Sequence, residues 1–210
     1  SRASAQTAQV QPASAWHNVV QHIYVGYFGR PADAGGLDFF STRFRELGAP
    51  TTITGMSAAY GDNMAGVRAL VDVFGTSEES QALYAGDNSA FFDAVYRNLF
   101  GRAPDADGKA WWVARMNAGD ITRASAAVAI MAGAQDSDRV VINQKTAVAG
   151  NFTTALTSSR HMLAYDGLAA NVVVRNMLGN VSAATDPAAF QPNVTATLDT
   201  PPFDASAMDG

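Results

Sequence analysis

Apolar residues along this chain recur three and four positions apart, in blocks that open on a capping residue and close on a glycine. Val19, Val20, Ile23, Tyr24 and Tyr27 share one face, so residues 14–28 are predicted as a first helix, capped by Ser14 and stopped by Gly29. The run 30–36 breaks it around Pro31, and Asp33 is placed to cap a second helix whose Leu37, Phe40, Phe44 and Leu47 form a single stripe before Gly48. Residues 49–66 mix Pro, Thr, Gly, Tyr, Asp and Asn and read as a long loop, with weak periodicity for one short helix near 53–60. Helical spacing returns at 67–74, and Ser77-Glu78-Glu79-Ser80 marks another start with acids in the first turn.

The pattern then repeats itself. Ser89 is the expected cap of a helix carrying Phe91, Phe92, Val95, Tyr96, Leu99 and Phe100, which Gly101 stops. Asp105 or Asp107 caps the next, through Trp112 and Met116, and Asp120 or Thr122 opens one through Met131. A longer helix from Asp136 keeps Val141, Val148, Phe152 and Leu156 on one face and sets Lys145 on its polar side. Two more pieces follow at 159–165 and 168–178, and Asp186-Pro187 is predicted to start a short last helix.

Two of these blocks are one design. A shift of 72 positions (102 − 30) superposes Tyr24 on Tyr96, Phe28 on Phe100, Gly29 on Gly101, Arg30 on Arg102, Asp33 on Asp105, Gly36 on Gly108 and Arg43 on Arg115, with no insertion. The expected fold is therefore all-α: a helical bundle built from two tandem helix-turn-helix repeats plus C-terminal helices. One domain is expected over 15–196, with copies at about 15–88 and 89–157 and a vestigial portion at 158–196, where Arg175-Asn176 and Gly179 keep the spacing of Arg97-Asn98 and Gly101. A disordered leader is expected over 1–14, rich in Ser, Ala, Gln and Thr, and a flexible tail over 197–210.

Composition narrows the function classes. A net charge of −5, with 14 basic residues spread along the chain, gives no electrostatic footprint for nucleic acid. Zero cysteines remove disulfides, thiolate metal sites and a cysteine nucleophile. No apolar run approaches the roughly 20 residues of a membrane span. His17 and His22 are five apart and fall on different sides of a helix, so the three histidines, with His161, read as surface or packing residues rather than a metal set.

In each copy Phe-Gly-Arg is followed by a proline-bearing turn, an aspartate, a glycine and an aromatic pair, Phe39-Phe40 and Trp111-Trp112. This pattern, over about 19–178 and including Lys145 to Ala149, resembles the helical domain of unknown function, of the DUF4214 type, that occurs in bacterial surface-layer proteins, secreted calcium-repeat proteins and adhesin-like chains and is distantly related to phycobilisome linker domains. The resemblance implies a secreted or cell-surface bacterial protein with no known catalytic activity. The chain lacks the glycine-aspartate calcium repeats of many such relatives, so a calcium roll is not expected.

The motif residues have sufficient structural work. Arg30 and Arg102 precede Asp33 and Asp105 by three positions, so each pair is expected to lock its own turn, with Gly36 and Gly108 completing it. Asp105 and Asp107 are candidate calcium ligands, although two carboxylates fall short of the usual six to eight oxygens, and no other cofactor is expected. Of the adjacent tryptophans, Trp112 aligns with Phe40 and is the expected core residue, leaving Trp111 for a partner or sugar surface. Tyr60, Asp62 and Asn63 put an aromatic and hydrogen-bonding groups together in the long loop, a composition suited to glycans. The function expected is noncatalytic binding of envelope polysaccharide or a protein partner. The competing classes are an assembly module that oligomerises through its aromatic faces and a carboxylate-dependent enzyme on envelope glycans using Asp62.

Overall fold

The computed structural model describes residues 11–204, and every regular element among them is helical. After a 3₁₀ turn at Ala13–Trp16 come α1 (His17–Phe28), α2 (Ala34–Glu46), α3 (Ile53–Gly61), α4 (Val67–Gly75), α5 (Glu78–Leu83) and α6 (Asn88–Phe100). The chain continues with α7 (Ala106–Asn117), α8 (Arg123–Gly133), α9 (Asp136–Ala155), α10 (Ser159–Ala164), α11 (Leu168–Gly179) and α12 (Gln191–Leu198). The all-α bundle read from the pattern is the fold observed.

The bundle is organised around α1, whose residues 19–28 are all buried. A helix apolar on every side belongs inside, and α1 packs against α2, α4, α8 and α9. Its polar Gln21 is satisfied rather than exposed: its side-chain amide donates to Thr153 Oγ1 at 2.8 Å and its carbonyl accepts from the Ala32 backbone at 2.9 Å. This network fixes α1 to α9 and to the turn after α1, because each unpaired buried polar atom would cost about 1–3 kcal/mol.

Several local expectations change. The segment read as a long loop contains α3, which buries Ile53, Met56, Ala59 and Tyr60 against α4 and α8; its Thr52 cap accepts from Gly55 N. Asp87, not Ser89, caps α6 by accepting from Ala90 N. Ser14 lies in the 3₁₀ turn, and α1 starts with no side-chain cap bond. Lys145 is not on a polar face: it is 3% exposed, and its ammonium donates to the Asn98 carbonyl at 2.6 Å. That burial lowers its pKa to about 8.

At the C-terminal end, the last helix among the described residues is α12, with Pro192 in its first turn, rather than a helix beginning at Pro187. The expected tail is packed at least to Phe203, whose buried ring lies 6.0 Å from both Phe152 and Tyr165. The first ten residues of the expected leader lie outside the described residues.

Candidate functional site

The two copies fold as two joints, α1–turn–α2 and α6–turn–α7. Each first helix ends on a left-handed glycine, Gly29 at φ 66° and Gly101 at φ 71°, the conformation that L side chains avoid. Asp33 then caps α2 through Gly36 N at 3.0 Å. Asp105 occupies the matching position before α7 but makes no side-chain cap bond.

The arginines do not pair with the aspartates of their own turns; within the turn each donates to the carbonyl of the next residue, Arg30 to Pro31 at 3.3 Å and Arg102 to Ala103 at 2.9 Å. Arg30 forms a bidentate pair with Glu79 at 2.6 and 2.9 Å, and Arg102 forms one with Asp138 at 2.9 and 2.6 Å. A guanidinium presents a planar fork that two carboxylate oxygens match, and an acid in the first turn of a helix is itself favoured by the helix dipole. Asp33 is engaged in capping α2, while Asp105 makes no such bond, and in both copies the fork goes to a more distant acid. The rings behave alike too: Arg30 lies 5.6 and 5.2 Å from the rings of Tyr24 and Phe28, and Arg102 lies 5.4 and 6.0 Å from those of Tyr96 and Phe100.

Their surroundings differ. The first joint is closed over by α10 and α11. Tyr165 adds a third ring 5.4 Å from the Arg30 guanidinium and donates its hydroxyl to the Pro31 carbonyl at 2.6 Å. Arg175 donates to the Phe28 carbonyl at 3.0 Å and to Glu79 at 3.3 Å. The Arg30 side chain is left 11% exposed, whereas that of Arg102 is 42% exposed. Burial on its own would lower the Arg30 pKa, but the hydrogen bonds it donates to Glu79 hold it above its usual value.

Beside the second joint lies an open cleft of about 380 Å³, lined by Tyr96, Phe100, Trp112, Ile130 and Gly133 together with the polar Gln135, Asp136 and Ser137, and edged by Arg102 and Asp138. That volume is at the low end of the range of small-molecule pockets. Asp136, also on the wall, has φ 50°, an unusual conformation for a residue with a side chain.

The remaining sequence-derived residues are spread over the surface. Trp112 is half-buried and stacks on Phe92 at 5.8 Å, while Trp111 is 53% exposed with the Arg115 guanidinium 4.6 Å from its ring. Tyr60 is buried, donates to Asp72 at 2.6 Å and carries Arg68 at 4.8 Å from its ring; Asp62 and Asn63 are exposed just beyond it. The structure thus separates Tyr60 from its two neighbours in the sequence. Asp105 and Asp107 are both exposed, and among the described residues no group of three histidine, aspartate or glutamate side chains is placed to hold a metal. No helix among the described residues is long and apolar enough to cross a membrane.

Sequence reasoning missed Glu79, Asp138, Phe74, Tyr165 and Arg175. Of these, Glu79 was visible only as a helix-start residue and Arg175 only as part of a vestigial echo of the motif. What marks the two acids further is their common setting, each two or three residues into a helix that follows a break.

Comparison with curated proteins and with solved structures yields no match. Residues 71–138, running from α4 to the first turn of α9 and ending on the acid that holds Arg102, match the family model of the domain of unknown function DUF4214.

Proposed function

We propose that the chain is a noncatalytic protein of the bacterial cell surface, secreted or held at the envelope, that binds a protein partner through its second joint. The cell-surface part of this reading rests on the resemblance alone, and the observation that supports binding at the second joint is the asymmetry of the two joints. The same arginine, ring pair and acid are covered by α10 and α11 in the first copy and border an open cleft in the second. The exposed Trp111 lies next to Trp112 on the cleft wall, and exposed aromatic side chains are favoured contacts at protein interfaces.

A test is co-sedimentation of the purified chain with isolated bacterial envelopes. Retention by native envelopes, lost after protease treatment of those envelopes, is the expected result. A chain that stays in the supernatant with native envelopes overturns the reading. Retention that survives protease and disappears after polysaccharide extraction replaces the protein partner with envelope polysaccharide.

A second reading, assembly with further copies, is favoured by a separate observation. Leu163, Leu168 and Val172 on α10 and α11 are 76%, 83% and 52% exposed, a concentration of apolar side chains suited to association. Light scattering over a range of concentrations tests it, with a mass that rises with concentration expected and a constant monomer mass overturning it.

A further inference from the structure

The first joint shows what occupies the space that is open in the second. Phe74, at the end of α4, is 1% exposed and lies 5.4 Å from the Tyr24 ring, 5.4 Å from Phe28 and 4.5 Å from Phe40. Tyr24, Phe28 and Phe40 correspond by the 72-residue shift to Tyr96, Phe100 and Trp112, three walls of the open cleft. Phe74 precedes Glu79, the acid that holds Arg30, by five residues. Five residues before Asp138, the acid that holds Arg102, stands Gly133. Gly133 ends α8 as Phe74 nearly ends α4, it lies on the cleft wall, and a Cβ built on it would meet nothing within 4 Å.

We infer that the cleft is a receptor for one aromatic side chain, phenylalanine or tyrosine, supplied by a polypeptide partner in the place that Phe74 takes in the first joint. This rests on the reading of the second joint as a binding site and adds the chemistry of the group it takes. The ring would enter between Tyr96, Phe100 and Trp112, where offset and edge-to-face contacts favour an aromatic over an aliphatic side chain. The Arg102–Asp138 pair at the rim gives the backbone beside that ring a donor and an acceptor. A ring provided by a partner performs the packing that the first copy performs for itself.

The test is an NMR titration of ¹⁵N-labelled protein with N-acetyl-phenylalaninamide. Saturable shifts of the Trp112 indole N–H and the Gly133 amide are expected, with N-acetyl-leucinamide requiring about tenfold more for the same change. Gly133→Phe, which fills the space from within, should abolish the response, and Gly133→Ala should keep it. No shift in the wild type, an equal response to the leucine compound, or a response unchanged in a folded Gly133→Phe overturns the assignment; the leucine comparison decides even where that variant does not fold. Benzyl alcohol offers the ring without a backbone, and tighter binding of it than of a Gly-Phe-Gly peptide overturns the polypeptide source. Because the titration needs no envelope, a silent titration removes the aromatic assignment alone, and failed sedimentation with a positive titration removes the envelope reading alone.

Discussion

The two joints share their residues and differ in what those residues enclose. In the first, a ring pair, an arginine and an acid are sealed by Phe74, Tyr165 and Arg175; in the second, the same four groups stand at the edge of a cleft. The glycines record the same difference. A Cβ at Gly36 would overlap the Tyr24 hydroxyl, and one at Gly29 would sit 2.6 Å from Asn98 Oδ1, yet Gly101 and Gly108 have open space around them. Sequence identity at a motif therefore does not carry identity of role. One copy has become the interior of the bundle, and the other presents the same design to solvent.

The sharpest way to break this comparison is to remove each acid. Glu79→Gln takes the countercharge from a nearly buried arginine and from Arg175 together, and a loss of about 3–5 kcal/mol is expected in urea unfolding. Asp138→Asn removes the partner of an arginine that water already reaches, and the loss there should stay below about 1 kcal/mol. Equal losses would remove the distinction between a closed and an open joint.

A pH experiment sharpens it next. His22, in the first copy, is 6% exposed, and its pKa is held down to about 4 by burial and then by the nearby charge of Arg139. The unfolded chain takes up this proton at the ordinary value near 6.5, before the folded one does. The stability associated with the neutral imidazole is thus fully present above pH 6.5 and is lost as pH falls toward 4, by roughly 3 kcal/mol. The second copy has Ala94 at the matching position. His22→Ala should flatten that part of the stability profile, measured by unfolding midpoints between pH 4 and 7; an unchanged slope would assign the effect elsewhere.

The smallest effects come from the paired glycines. Gly36→Ala must displace the Tyr24 hydroxyl and should cost about 1–3 kcal/mol, a typical cost of overpacking. Gly108→Ala, inside α7 with open space around it, should instead stabilise by about 0.4–1 kcal/mol. Melting temperatures of the two variants should move in opposite directions, and a shift of the same sign in both would contradict the crowding difference.

Helical spacing, caps and stopping glycines made the bundle legible before any coordinates. Those signals are local: Asp33, Thr122 and Gly101 act on neighbours within a turn. The arginine partners were not legible for the same reason, since Arg30 meets an acid 49 residues away and Arg102 one 36 residues away. Lys145 was misread because its position along the helix counts as polar by residue type, while its ammonium finds a carbonyl on α6. Within the candidate site, Trp112 and Trp111 separated as adjacent helical residues must. The cleft itself was hidden, because part of its wall, Gly133 among it, lies outside the stretch that the 72-residue shift aligns.

Glu79 sets an order of events for a chain made from its N-terminus. Arg175 reaches both Glu79, 96 residues before it, and the Phe28 carbonyl, 147 residues before it. Contacts of such separation form only after long loops close, and they slow folding accordingly. A growing chain can pair Arg30 with Glu79 early, but it leaves that arginine and its rings uncovered until Tyr165 and Arg175 have been synthesised. In the second joint the arginine meets its acid within 36 residues, and the Asn98 carbonyl meets Lys145 within 47, both far shorter separations.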